Sequence, residues 1–62
     1  MKLRIAQLRK EADIAQNELA KRVFISQGIL SGIEAGAKMP NLDTAKRIAD
    51  ALQCKIDDLI EE

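Results

Sequence analysis

The 62-residue sequence predicts an all-α fold of five short helices. Apolar residues recur at three- and four-residue steps along the chain, which is the spacing of one helix face. Residues typical of helix ends separate these stretches: Ser26 and Asn41 have the side-chain acceptors of N-caps, and Gly36 suits the left-handed conformation that closes many helices. We therefore expect a single domain, residues 1–62, with an aliphatic core, since the chain has one Phe and no Trp or Tyr.

The first predicted helix covers residues 2–11, where apolar side chains share each turn with lysine and arginine. The second starts near Gln16, with Ala15 at the N-cap position. Alanine has no side-chain acceptor, and its presence there costs about 0.5–2 kcal/mol relative to serine. The predicted inward face of the second helix consists of Leu19, Ala20 and Val23.

The third predicted helix follows Ser26 and is about ten residues long, with Leu30 and Ile33 on its apolar face. A short corner joins it to the second helix. Two helices joined by a turn of three or four residues match the geometry of a helix-turn-helix, whose second helix can lie in the major groove of DNA.

Two more helices complete the prediction. The fourth begins near Leu42 after the cap Asn41. Its predicted inward face is Leu42, Ala45, Ile48, Ala49 and Leu52. The fifth covers residues 57–61, with Ile56, Leu59 and Ile60 facing inward.

The formal net charge is zero, but the charges are unevenly distributed. Residues 1–22 carry six Lys or Arg and three Asp or Glu, a net charge of +3, whereas residues 41–62 carry three and six, a net charge of −3. A positive N-terminal half could face phosphates while the acidic end points away. The alternative is an ordinary solvated surface whose asymmetry has no function.

The composition excludes several classes of function. The chain has no His and a single cysteine, Cys54, so we expect no metal site, no internal disulfide, no cofactor and no enzyme activity. Cys54 is expected to be a small buried hydrophobe. The scarcity of aromatic residues argues against modules that stack single-stranded bases. No apolar stretch suggests a membrane span or a signal peptide, so we expect a cytoplasmic protein. A chain of this size has no room for a substrate pocket, so we expect no small-molecule substrate.

A series of residues at fixed spacing resembles a known family. The series is Ile5, Leu8, Arg9, Ile14, Gln16, Glu18, Leu19, Ala20, Ile25, Ser26, Leu30, Ser31, Ile33, Glu34, Gly36, Pro40, Leu42, Thr44, Ile48, Ala49, Ala51, Leu52, Asp57 and Leu59. In one ungapped register it resembles the phage-repressor and Cro-like helix-turn-helix transcriptional regulators. The resemblance implies a compact five-helix repressor-type DNA-binding domain that binds double-stranded DNA as a homodimer on a two-fold operator.

The residues at two helix caps and at the corner before the third helix depart from the family pattern. The family usually has Ser or Thr where this chain has Ala15, and it prefers a capping Ser where this chain has Lys55. At the corner before the third helix it commonly has Gly in a left-handed conformation, but here the residue is Phe24. A bulky residue is strained in that conformation. Either the turn is rebuilt or packing holds the ring.

The resemblance also implies which residues contact DNA. Base edges are expected to face Gln27, Gly28, Ile29 and Gly32. The amide of Gln27 can pair with adenine through two hydrogen bonds, and Ile29 either touches a thymine methyl or is an apolar residue exposed at an interface. Candidate phosphate contacts are Gln16, Asn17, Ser26, Ser31 and Lys38. Arg9 and Glu34 are expected to form a structural ion pair, although Arg9 as a phosphate ligand is the alternative.

One face of the third helix leaves a second function open. Gly28, Gly32 and Ala35 together leave a bare face where the family commonly has long polar side chains. Such a face permits close approach of DNA, or it packs on a protein. The alternative function is therefore a protein–protein interaction module that keeps the fold, uses this face or the acidic C-terminal helices, and binds DNA weakly or not at all.

Overall fold

Four α-helices and a short antiparallel ribbon make up the fold. The computed structural model describes residues 2–61. The elements in order are β1 (Lys2–Leu3), α1 (Ile5–Glu11), α2 (Gln16–Arg22), α3 (Gln27–Glu34), α4 (Leu42–Ala51), a 3-10 helix (Ile56–Leu59) and β2 (Ile60–Glu61). The helical prediction is confirmed for α1 to α4, and the predicted fifth α-helix is wrong.

The two ends of the described chain pair with each other instead of extending the helices. Leu3 in β1 is the register partner of Ile60 in β2, and the Arg4 N–H donates to the Leu59 carbonyl at 2.8 Å. The pairing removes residues 2–4 from the predicted first helix. At the other end it satisfies the backbone groups that a five-residue helix would leave largely unpaired, so only one 3-10 turn remains.

The core is aliphatic, as predicted, and every helix contributes to it. Its buried residues are Ile5, Leu19, Ala20, Val23, Leu30, Ile33, Ile48, Ala49 and Leu59. The inward face predicted for α4 is wrong at its first position, because the Leu42 side chain is 74% exposed. Leu42 is the first residue of α4, and the buried residues of this helix, Ile48 and Ala49, lie toward its other end.

The predicted N-caps are confirmed at two helices. The Ser26 Oγ accepts the Ile29 N–H at 3.1 Å, and the Asn41 Oδ1 accepts the Thr44 N–H at 2.8 Å. Ala15 caps α2 without a side-chain hydrogen bond. At the 3-10 helix the Lys55 N–H donates to the Asp58 carboxylate at 3.0 Å, so that a residue inside the turn supplies the acceptor.

All four α-helices end in the same backbone motif. In α3 the left-handed residue is Gly36, with φ of 83°, and the next N–H, from Ala37, donates to the Gly32 carbonyl at 2.9 Å. This six-to-one hydrogen bond is the Schellman motif, and it ends α3 after eight residues instead of the predicted ten. At the ends of α1, α2 and α4 the left-handed residues are Asp13, Phe24 and Gln53.

Phe24 fulfils neither expectation for the corner between α2 and α3. The turn is not rebuilt, because φ is 62° and the Ile25 N–H donates to the Ala20 carbonyl at 3.0 Å. Packing does not hold the ring, which is 82% exposed and lies over the Arg47 guanidinium, 5.9 Å from Cζ to the ring centroid. The backbone motif therefore keeps a strained residue in place.

Replacing Phe24 tests this strain. A left-handed conformation costs a non-glycine residue about 1–2 kcal/mol, and glycine loses about 0.5–1 kcal/mol more backbone entropy on folding. We therefore expect the free energy of unfolding of Phe24→Gly to exceed that of Phe24→Ala by about 1 kcal/mol. Both variants lack the ring, so urea unfolding compares the backbone alone. Equal stability of the two would show that the corner is unstrained.

Candidate nucleic-acid interface

The N-terminal ends of α2 and α3 meet at one edge of the molecule. The Gln27 Nε2 at the start of α3 donates to the Gln16 Oε1 at the start of α2, at 3.3 Å. Gln27 is exposed and Gln16 is half-buried. We call the surface around these two residues the reading edge. It joins one predicted base contact to one predicted phosphate contact.

A nearly buried ion pair lies behind the reading edge. The Arg9 Nε donates to the Glu34 Oε2 at 2.8 Å and the Arg9 Nη2 to the Glu34 Oε1 at 3.1 Å, with side-chain exposures of 11% and 7%. The remaining Arg9 nitrogen, Nη1, donates to the Ile14 carbonyl at 2.9 Å. The expected pair is thus present, with two parallel hydrogen bonds, and it joins α1 to the end of α3. In this position the Arg9 guanidinium is engaged within the protein.

The ion pair sets the orientation of both amides at the reading edge. A carboxylate only accepts hydrogen bonds, so the Gln16 group that faces Glu34 must be Nε2, which donates to Oε1 at 3.1 Å. The Gln16 Oε1 then faces Gln27, and because this oxygen only accepts hydrogen bonds, Gln27 must donate through its Nε2. The second hydrogen of that Nε2 and the Oε1 of Gln27 remain for a ligand. They form the donor and acceptor pair that matches N7 and N6 of adenine.

The other candidate base contacts fall into two groups. Gly28 and Ile29 are exposed, and a Cβ built on Gly28 would have no neighbour closer than the Ser26 Oγ at 4.0 Å. Gly32 is half-buried, because the side chain of Lys38 lies over it, with Cδ 3.3 Å from the position of a Cβ. The bare face predicted across Gly28, Gly32 and Ala35 is therefore interrupted by Lys38.

This position of Lys38 is a feature of the site that the sequence did not predict. The chain turns back at Gly36, and the Lys38 N–H donates to the Gly32 carbonyl at 3.2 Å, so the loop folds against α3. The available signal was Gly32 itself, because a glycine in the interior of a helix often marks the close approach of a neighbouring segment. The other candidate phosphate contacts, Asn17, Ser26 and Ser31, are exposed.

Most of the exposed cations at the α2 and α4 surface are paired. Arg22 pairs with Glu18, Arg47 with Asp43 at 3.0 Å and Lys46 with Asp50 at 3.7 Å. Each pair spans four residues of one helix, where such pairs are weak and screened by salt. They reduce the positive potential of this surface.

Cys54 has no features of a reactive thiol. Its side chain is half-buried, and burial raises the pKa of the thiol above its ordinary value. The Asp58 carboxylate raises this pKa further, and Arg4 lowers it by a smaller amount. The thiol is therefore protonated at neutral pH. Across residues 2–61 we find no group of acidic or sulfur side chains placed to hold a metal ion, and no helix long and apolar enough to cross a membrane.

The corner between α2 and α3, with the start of α3 exposed, defines a helix-turn-helix domain. Residues 5–59 match the helix-turn-helix family. The chain therefore belongs to the phage-repressor and Cro-like helix-turn-helix family of transcriptional regulators, which are not normally enzymes. This membership confirms the resemblance seen in the sequence.

Comparisons with individual proteins agree with the family. The chain is 36% identical to an uncharacterised HTH-type transcriptional regulator of Archaeoglobus fulgidus over 95% of this chain and 83% of the relative. It superposes on the P22 c2 repressor, solved with a synthetic operator, with a TM-score of 0.87, 34% identity, and coverage of 94% and 88%. For SinR of Bacillus subtilis solved with DNA, the TM-score is 0.86, the identity 27%, and 94% of each chain is covered.

Some related chains are longer. A structure of SinR with SinI superposes with a TM-score of 0.87 and 28% identity over 95% of this chain, which spans 58% of that chain. The ClgR regulator of Corynebacterium glutamicum superposes with a TM-score of 0.85 and 26% identity over 87% of this chain, which spans 57% of ClgR. The chain thus corresponds to little more than half of these two proteins.

Removing one charge of the buried pair tests its structural role. Glu34→Gln leaves the Arg9 charge nearly buried without a counter-charge, and we expect the free energy of unfolding to fall by about 3–5 kcal/mol. A domain of this size has about 3–5 kcal/mol of stability, so cooperative unfolding should be lost. Arg9→Met combined with Glu34→Leu should recover most of it.

The matched control is Glu18→Gln, because the Glu18–Arg22 pair is half exposed. Its effect in the same urea or thermal unfolding measurement should stay below about 1 kcal/mol. A Glu34→Gln effect as small as that of Glu18→Gln would contradict a structural role for the buried pair.

Alanine at two glycines tests the contact between Lys38 and α3. Alanine stabilises a helix interior by about 1 kcal/mol relative to glycine, so Gly28→Ala should raise the free energy of unfolding by about that amount. Gly32→Ala should raise the free energy of unfolding by less, because the added Cβ must displace the Lys38 side chain. In a Lys38→Ala background the two gains should become equal. If urea unfolding shows equal gains in the original background, Lys38 does not pack on Gly32.

Proposed function

We propose that this chain binds double-stranded DNA sequence-specifically as a repressor-type transcriptional regulator, with two copies on a two-fold operator. The observation that carries the proposal is the exposed Gln27 amide at the start of α3, which is oriented through Gln16 by the nearly buried ion pair. A base-reading side chain needs such fixed polarity, since a freely rotating amide accepts adenine and its alternatives more evenly.

The related structures support double-stranded DNA as the ligand. The P22 c2 repressor was solved with a synthetic operator and SinR with DNA, and this chain superposes on both over 94% of its length. In a helix-turn-helix the first residues of the second helix contact base edges in the major groove. In this chain those residues are Gln27, Gly28 and Ile29, with Gln27 facing adenine and Ile29 available to a thymine methyl.

The proposed phosphate contacts are hydrogen-bond donors on α2, on α3 and in the loop after α3. Gln16 and Asn17 lie at the start of α2, where unpaired backbone N–H groups also favour an anion. The Lys38 side chain lies over Gly32, in the middle of α3. Ser26 and Ser31 add hydroxyl groups on α3. With one free lysine among these groups, one copy should bind weakly, and binding should weaken further as the salt concentration rises.

Two copies on one duplex would bind more tightly than one. A single small module buries too little surface for tight specific binding. Two modules with starts of α3 about 34 Å apart would read successive turns on one face of the duplex. The operator would then have two-fold symmetry, as a symmetric dimer requires.

A protein-interaction function is the competing proposal. The sequence of α3, Gln27–Glu34, contains no Lys or Arg, and the exposed Gly28 and Ile29 offer an apolar surface. SinR, to which this chain is similar, was also solved with the protein SinI. Under this proposal α3 would pack on a protein, and Gln27 would have no influence on binding to duplexes.

Duplex selection separates the two functions. Duplexes selected from a random pool by the unmodified protein should contain an adenine whose replacement weakens binding about 5- to 150-fold, equivalent to about 1–3 kcal/mol. Gln27→Ala should abolish this preference, whereas Gln7→Ala should not, because Gln7 bonds Glu11 on α1. Fluorescence anisotropy at low salt measures both. Failure to bind any duplex, or an adenine preference unchanged by Gln27→Ala, would contradict the proposal.

A further inference from the structure

A lysine from the loop after α3 covers the middle of that helix. The γ, δ and ε carbons of Lys38 lie 3.4, 3.3 and 3.8 Å from the position that a Cβ on Gly32 would occupy. The backbone holds this arrangement, because the N–H groups of Ala37 and Lys38 both donate to the Gly32 carbonyl, at 2.9 and 3.2 Å. The Lys38 side chain thus lies where a side chain on residue 32 would begin.

Gly32 lies on the outward side of α3. At about 100° per residue it is turned about 200° from the fully buried Leu30 and only about 40° from the exposed Gly28. The resemblance implies that base edges face both glycines, yet neither has a side chain that could contact a base. Lys38 is itself exposed. Its four-carbon stem can therefore extend over α3 while the ammonium group stays in solvent.

The Lys38 ammonium group is available to a ligand. No carboxylate in the described part of the chain pairs with it, whereas Arg22 and Arg47 each have an acidic partner on their own helix. The sequence of α3 contains no Lys or Arg, and its one acidic residue, Glu34, is engaged by Arg9. Lys38 therefore brings to the outward side of α3 the positive charge that this helix lacks.

We infer that Lys38 contacts a guanine in the major groove, in place of the side chain that Gly32 lacks. The inference rests on the proposed function and gives Lys38 a base contact instead of a phosphate contact. An ammonium group only donates hydrogen bonds, and guanine presents two adjacent acceptors, N7 and O6. Adenine has a donor beside its N7, thymine has one acceptor and cytosine has a donor. Guanine is thus the base to which one lysine can donate twice.

The position of the Lys38 stem favours a base over a phosphate. A side chain that crosses the outward side of α3 enters the groove together with the helix, whereas phosphates line the edges of the groove. A stem held against Gly32 also loses less conformational freedom on binding than a free lysine. Because α3 rises about 1.5 Å per residue, Gly32 lies about 7.5 Å beyond Gln27, which corresponds to about two base pairs at about 3.4 Å each.

Binding measurements that vary the lysine and the base together test the inference. Duplexes selected from a random pool by the unmodified chain should contain a guanine about two base pairs from the adenine that Gln27 contacts. Replacing this guanine with adenine should weaken binding by the unmodified chain about 5- to 150-fold in fluorescence anisotropy. Lys38→Met keeps the stem over Gly32 but removes the ammonium group. This variant should bind the two duplexes equally, within about twofold, and should keep the adenine preference.

The matched control is Lys10→Met, which removes the same charge from an exposed position on α1 and should leave the guanine preference unchanged. If Lys38 contacts a phosphate, Lys38→Met would instead weaken binding to both duplexes by the same factor and lower the slope of log affinity against log salt concentration by about 1. That result, or a selected site without the guanine, would overturn the inference and leave the proposed function in place. Failure to bind any duplex would overturn both.

Discussion

The ion pair between Arg9 and Glu34 is the interaction on which the reading edge depends. It brings together α1, the end of α3 and the carbonyl of Ile14, and it leaves one carboxylate oxygen to fix the amide of Gln16. Each later hydrogen bond in the series has only one possible polarity once this first one is made. A charge placed behind the surface thus determines which atoms of Gln27 face outward.

The helix ends show how the backbone fixes the relative positions of the helices. The same six-to-one hydrogen bond closes all four α-helices, yet only Gly36 among the four left-handed residues is glycine. At Asp13, Phe24 and Gln53 a non-glycine residue adopts the strained left-handed conformation, because this conformation turns the chain sharply at the helix end. Phe24 is the bulkiest of the three, and the corner that it occupies connects α2, which begins at Gln16, to α3, which begins at Gln27.

Much of this structure followed from local patterns in the sequence. Helical spacing predicted α1 to α4, and the residue types at Ser26 and Asn41 predicted their capping bonds, because both signals act within one turn of the chain. The resemblance supplied the pairing of Arg9 with Glu34. The other features that join distant segments were not predicted, since no local signal distinguishes them. The ribbon depends on residues 57 positions apart, Leu3 and Ile60, and it replaced the fifth helix.

The candidate site divides in the same way. Its residues on α2 and α3 were placed by helix position, whereas the hydrogen bond between Gln16 and Gln27 and the contact of Lys38 with Gly32 depend on how two segments pack. The exposure of Leu42 was not predicted for the same reason. Helical spacing placed it on the inward face of α4, but it could not show that the start of this face lies at the margin of the core. Because of these tertiary contacts, the helix face that was predicted to be bare carries one oriented amide and one lysine.

The most direct measurement of the central claim is nuclear magnetic resonance of the labelled chain during titration with a duplex chosen from a random pool. We expect the side-chain amide of Gln27 and the backbone amides at the starts of α2 and α3 to shift together as duplex is added. Resonances of Met39 and Leu42 should respond little to DNA contact itself. Shifts confined to other surfaces, with the Gln27 amide unchanged in a saturated complex, would contradict the claim that the start of α3 reads DNA.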